Sequence, residues 1–157
     1  MKDAHMNTIG EDYILTGINK NAHVINRATY NLEKELNLKN REMSTSLVHK
    51  DLLYIGTYVD TLFIFSITND FERIQLVRTH DSVLTMCSVS DTENRIVVGL
   101  AGGYVDLIHE VALTEQQEGD EGRKTKFVNE SVTLNRDAGY INKVVLSNSG
   151  DEIIMAC

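Results

Sequence analysis

Five histidines, at positions 5, 23, 49, 80 and 109, and two cysteines, Cys87 and Cys157, are the side chains best able to bind a metal or attack an electrophile. Metal sites gather such ligands at short, fixed spacings, and these residues show none, either among themselves or with nearby carboxylates. His23 and His109 fall within short apolar runs, where a surface or strand-edge imidazole is the ordinary occupant. Cys87 lies inside Val83-Leu-Thr-Met-Cys-Ser-Val89, a setting for a small buried apolar residue and not for a nucleophile. Asp151 and Glu152 offer a carboxylate pair, but neighbours at a turn and strand start point apart. Asn129-Glu-Ser131 fits the glycosylation sequon and, with no secretory leader, reads as coincidence. Gly102-Gly103 reads as a tight hairpin turn. Neither a Ser-centred nucleophile elbow nor a phosphate-cradling glycine loop occurs. The residues thus predict no catalytic, cofactor or metal site, and the expectation is a protein that is not an enzyme.

The charge balance narrows the partners. Across 157 residues, 15 Lys and Arg stand against 23 Asp and Glu, a net charge of −8. A nucleic-acid backbone or an anionic membrane rewards concentrated positive charge, so both are excluded as main partners. A composition 42% hydrophobic and 24% charged belongs to a globular domain. No apolar run approaches the roughly 20 residues of a membrane helix. Two cysteines build no disulfide framework, which points to a reducing compartment, cytoplasmic or nuclear.

The elements that position these residues repeat along the chain. Tyr13-Ile-Leu-Thr-Gly17, Leu52-Leu-Tyr-Ile-Gly56, Arg95-Ile-Val-Val-Gly99 and Glu152-Ile-Ile-Met-Ala156 share one pattern, an apolar run ending in a tiny residue. The glycines are 39 residues (17 to 56) and 43 residues (56 to 99) apart. The last step regains 43 once the polar insertion of 14 residues from Leu113 to Lys126 is set aside. That insertion reads as a solvated loop or an acidic tether for a basic partner. A period near 40 built of short β-type runs is the signature of a propeller blade.

Each period subdivides alike. Third strands are predicted at Ala22–Asn26, Thr61–Ile67 and Tyr104–Val111, and first strands at Met43–Val48, Val83–Val89 and Ile141–Ser147. Outer strands are predicted at Lys34–Leu38, Arg73–Arg78 and Phe127–Leu134. A helix over Asn31–Asn40 competes with the first of these, since Leu32 and Leu36 stand at helical spacing. The repeat register favours the strand. Second strands covered on both faces should supply the core through Ile14, Leu53, Ile55, Ile96, Val98, Ile153, Ile154 and Met155.

Ile141-Asn-Lys-Val-Val-Leu-Ser-Asn-Ser-Gly-Asp-Glu-Ile-Ile-Met-Ala156 resembles the first two strands of a WD-repeat blade, and Leu52 to Ser66 resembles the second and third. Where that family places Trp-Asp, this chain has Asn26-Arg27, Phe65-Ser66 and Ile108-His109. The family's turn aspartate falls on Lys20, Val59 and Gly102, and its Gly-His pair on Arg78-Thr79, with Asp60 and His80 each one position away. The hydrogen-bonded tetrad that stiffens such blades is therefore expected to be missing. The resemblance implies an all-β fold, a partial β-propeller of four-stranded antiparallel blades. Blades span about 1–38, 39–79 and 80–137, with a half blade at 138–157. The chain is expected to begin almost directly with a second strand, near Tyr13. Three and a half blades fall short of the roughly four to eight that close a ring. A piece of a longer propeller is expected, with self-association as the alternative and an isolated chain that is no well-ordered monomer.

The resemblance implies a non-catalytic scaffold that binds other proteins within a multi-subunit complex. A regulatory propeller segment of a larger enzyme, such as a protein kinase, is the alternative. A hydrolase working at the propeller axis ranks last, because no inward acid, base and nucleophile can be assigned. The expected binding face carries the turns between second and third strands and the approaches to first strands: Lys20, Asn21, Asp60, His80, Asp137 and Tyr140.

Overall fold

The computed structural model describes residues 5–18, 20–89, 93–113, 124–133, 140–146 and 152–156. Asp137, Asp151 and Cys157 lie outside the described residues. The first antiparallel sheet joins β1 (Met6–Ile9), β2 (Tyr13–Ile18), β3 (Asn21–Asn26) and β4 (Leu32–Asn37) in that order. The second joins β5 (Met43–His49), β6 (Leu52–Thr57), β7 (Thr61–Ser66) and β8 (Glu72–Arg78). The third joins β9 (Val83–Ser88), β10 (Arg95–Leu100), β11 (Tyr104–Ala112) and β12 (Thr125–Thr133), and the fourth pairs β13 (Lys143–Leu146) with β14 (Ile153–Ala156). Every regular element among the described residues is a strand, so none is a helix long and apolar enough to cross a membrane. Among the described residues the four blade-like sheets form an open series that does not close on itself.

Three apolar cores lie between successive sheets, which explains why the second strands read as unbroken apolar runs. Along β6, Leu53 and Ile55 face the first sheet, packing with Leu15 and Val24. The alternate residues Leu52 and Tyr54 face the third, packing with Ile96, Val98 and Ile108. Because side chains alternate across a strand, burial of both faces requires apolar residues at every position. Val97 and Val105 then meet Ile141 and Val144 in the smaller third core.

The repeated glycines have a steric cause. A Cβ on Gly17 would stand 3.0 Å from Met43 Cβ, and one on Gly99 would stand 2.7 Å from Ile141 Cγ2. A Cβ on Gly56 would run into Val83 Cγ1 and lie 2.7 Å from Val83 Cβ. Met43 and Val83 open the first strands of the next sheets, and Ile141 lies just before β13. Each glycine is thus a notch that receives the next sheet's leading apolar residue. Close approach, and not a left-handed backbone, demands glycine there.

The structure departs from the sequence reading in several places. A first strand, β1, precedes Tyr13 and pairs Thr8 with Ile14. It escapes the pattern because its four residues include only one buried side chain, Ile9. In contrast, residues 32–37 form the outer strand that the repeat register favoured over a helix, held by pairing of Leu36 with Ala22, both buried. β12 starts at Thr125, so the end of the expected insertion is strand, paired with Val111 and Ala112. Of the predicted core, Leu53, Ile55, Ile96 and Val98 are fully buried. Ile14 is only half-buried, because its neighbour Leu15 takes the side facing the second sheet. Ile153 and Ile154 are 41% and 54% exposed, and Met155 only packs partly against the third core. Among the described residues β14 pairs with β13 alone, and its Met155 is the side chain that packs on the third core, which leaves these isoleucines uncovered.

Candidate functional site

Turns β2–β3, β6–β7 and β10–β11 lie at one end of the strands, with the approaches to β5, β9 and β13. Hydrogen bonds stitch this end together across sheets. Ser82 Oγ donates to the Tyr58 carbonyl at 2.6 Å, and Tyr58 OH meets His5 Nε2 at 2.8 Å. Arg78 Nη1 donates to Asp60 Oδ2 at 2.5 Å, and the Thr79 amide donates to the Asp60 carbonyl at 3.2 Å. Asp60 and His80 are thereby brought to one junction, between the second and third sheets. Tyr140 is 67% exposed and precedes Ile141, whose amide donates to the Leu100 carbonyl at the next junction. Lys20, with φ of 71°, and Asn21 occupy a separate turn on the first sheet, where Asn21 Nδ2 donates to Glu35. Tyr58 and Val59, exposed at the same end, were not singled out by sequence. Their only signal is apolar character within a turn.

His80 is held by a residue that sequence also missed. Asp106, fully buried in β11, accepts from His80 Nδ1 at 2.9 Å through Oδ1. Its Oδ2 accepts from the His80 amide at 3.1 Å and from Asn129 Nδ2 at 2.7 Å. The ring stacks on Tyr104, with centroids 6.1 Å apart. One His–Asp bond therefore forms where none was expected, because the aspartate sits inside the strand and not in the turn.

The opposite end of the strands carries two adjoining cavities between the second and third sheets. One, of ≈ 520 Å³, is lined by Lys50, Glu93, Arg95 and His109 among others. The other, of ≈ 350 Å³, has Asp51, Glu72 and Glu110 against Leu52, Ile74 and Phe127, with Lys124 also on its lining. Asn94, Glu110 and Thr125 are common to both. Glu110 is fixed by Asn94 Nδ2 at 2.7 Å and by Thr125 Oγ1 at 2.5 Å. Among the described residues, no group of three or more His, Cys, Asp or Glu is arranged to hold a metal ion.

Two protonation states are set by burial. The Cys87 thiol is pushed up by desolvation, away from the thiolate a nucleophile needs. The Tyr54 hydroxyl is raised well above the usual phenol range, first by burial and then by the charges of Glu110 and Asp51. Above about pH 10 the unfolded chain loses this proton while the folded one keeps it, so stability falls as pH rises. Of the six tyrosines, Tyr54 is expected to stay un-ionised in an ultraviolet titration until the protein unfolds. Tyr54→Phe should remove this part of the alkaline instability; an unchanged pH slope would contradict the assignment.

Compared with known protein families and with curated proteins, the chain matches none.

Proposed function

We propose that the chain is a non-catalytic protein-interaction scaffold of the WD-repeat propeller type, acting inside the cell within a multi-subunit complex. The observation that carries this reading is the cross-linked turn end. Residues from three sheets converge there on backbone that hydrogen bonds hold in place, through Tyr58, Asp60 and His80. Rigid elements that present exposed turns are the usual platform for recognition, and preorganisation lowers the ordering cost of binding. Exposed Tyr58 and Tyr140 supply aromatic anchors of the kind that dominate interface energies. Charged Lys20, Asn21 on the same turn, and the Asp60–Arg78 pair supply a polar surround. Their geometry suits a partner laid across several turns.

The test is capture from cell extract with the full chain as bait, wild type against the triple variant Asp60→Ala, Asp137→Ala, Tyr140→Ala. Retained proteins should be lost with the triple variant while its thermal melt stays within a few degrees of wild type. An unchanged set of captured proteins would remove this face from the reading.

A further inference from the structure

We propose that two copies of the chain join head to tail, the free face of the fourth sheet in one copy covering the free face of the first sheet in the other. Two such contacts close a ring. The inference goes beyond the function proposed above, and it uses the flat faces of sheets and not the turn end. Among the described residues, every large apolar side chain that is exposed on a strand stands on the first or the fourth sheet. These are Met6, Ile18, Leu32, Val145, Ile153 and Ile154. The strands of the two middle sheets, which have neighbours on both sides, carry none.

The occupant follows from how the chain builds its own junctions. Two residues before Gly17, Gly56 and Gly99 stand Leu15, Tyr54 and Val97, which point to the following sheet and are fully buried. The corresponding residue before Ala156 is Ile154, which is 54% exposed. It pairs with Val145, also exposed, on the face turned away from Val144 and the third core. One and three residues before Gly56 and Gly99 stand Ile55, Leu53, Val98 and Ile96, which point to the preceding sheet and are fully buried. On the first sheet those positions are Thr16 and Ile14, both only half-buried. Ile14 pairs with Ile25, and Thr16 with Met6, which is 74% exposed, so all four share one face.

One copy thus exposes both halves of a junction that it builds three times within itself. A partner of unrelated sequence would have to reproduce the apolar spacing of both faces, and a second copy already carries it. All three internal junctions join unlike faces, a following one to a preceding one, so the contact between copies is heterologous. Such a contact either closes into a ring or grows without limit. Two copies bring eight four- or two-stranded sheets, within the roughly four to eight of closed propellers, so closure comes at the dimer. The closed dimer makes the contact twice and leaves neither face bare.

The experiment is sedimentation velocity on the purified full chain over a range of micromolar concentrations. The expected species has twice the mass of one chain and does not grow further. Ile154→Glu, and separately Val145→Glu on the paired strand, should weaken the dimer about thirtyfold or more, as loss of an interface anchor does. The double variant Met6→Glu, Ile18→Glu should do the same from the other face. All of these side chains are exposed, so the circular dichroism of each variant should stay that of wild type. Tyr30→Glu, an exposed aromatic on neither face, should leave the mass unchanged. The decisive sample mixes Ile154→Glu with the Met6, Ile18 double variant. Neither dimerises alone, yet the mixture keeps one intact pair of faces and should form a heterodimer. A wild-type monomer throughout, a mass that keeps rising with concentration, a dimer indifferent to both Ile154→Glu and Val145→Glu, or a mixture that stays monomeric would overturn the proposal. Capture of other proteins at the Asp60–Tyr140 end is read separately, since none of these substitutions touches that end.

Discussion

Replacing Asp106 with alanine is expected to destabilise the protein by about 2–5 kcal/mol, since each buried donor left without its acceptor costs about 1–3 kcal/mol. The carboxylate is fully buried and accepts three hydrogen bonds, two from His80 and one from Asn129. Removal strands those donors at the junction of the second and third sheets. Asn129 and the His80 amide suffer most, because the His80 ring, 49% exposed, can turn to water. Asp106→Asn keeps the shape but presents an amide donor where two oxygens accept now. Its cost should be smaller, about 1–3 kcal/mol. His80→Ala should cost less than Asp106→Ala, since the carboxylate retains the backbone amide and Asn129. Urea unfolding followed by circular dichroism gives the ranking. An Asp106→Ala variant within 0.5 kcal/mol (roughly the noise of surface substitutions) would show that the network does not hold the junction.

Gly56→Ala and Gly99→Ala should each destabilise by about 1–3 kcal/mol, the range for overpacking a filled core. The sign is informative, because alanine in a strand is otherwise favoured over glycine by about 0.5–1 kcal/mol. At Gly56 the new methyl meets Val83, fully buried and stiff at χ1, and lies 3.1 Å from Thr45 Cγ2. At Gly99 it lies 2.7 Å from both Ile141 Cγ2 and Thr85 Cγ2 and 2.9 Å from Val144 Cγ2. Gly17→Ala should cost less, since its closest contact, Met43 Cβ at 3.0 Å, is longer than those at Gly56 and Gly99 and the Met43 Cε at 3.1 Å can move away. Pairing Gly56→Ala with Val83→Ala should recover part of the loss, a favourable coupling that a double-mutant cycle measures. Gly56→Ala at or above wild-type stability would contradict the notch.

What was legible in sequence follows from which interactions are local. The second strands could be read because both faces of β6 and β10 are buried, so Leu52-Leu-Tyr-Ile and Ile96-Val-Val print their burial directly in residue type. β1 could not, since Met6-Asn-Thr-Ile9 buries one residue and owes its place to pairing with β2. The exposure of Ile153 and Ile154 was equally illegible, because what covers a strand is contributed by another sheet. Asp106 shows the same limit at the site. Within Tyr104-Val-Asp-Leu-Ile108 it looks like a stray charge, and its partners His80 and Asn129 are 26 and 23 residues away. Asp51, Glu72 and Glu110 likewise come to one cavity lining from the β5–β6 turn, β8 and β11, which are far apart in sequence. The placing of Asp60 and His80 at the turn end of the sheets was legible because a positional rule for turns needs no knowledge of long-range packing.

The most direct test of the account is a nuclear Overhauser experiment on the isotope-labelled chain, reading the α-protons of Gly17, Gly56 and Gly99. Stacked sheets docked through glycine notches predict cross-peaks from Gly17 to the Met43 side chain, from Gly56 to the Val83 methyls, and from Gly99 to the Ile141 and Val144 methyls. Each joins one sheet to the next. Cross-peaks from these glycines confined to their own sheets, with Met43, Val83 and Ile141 in contact elsewhere, would contradict it.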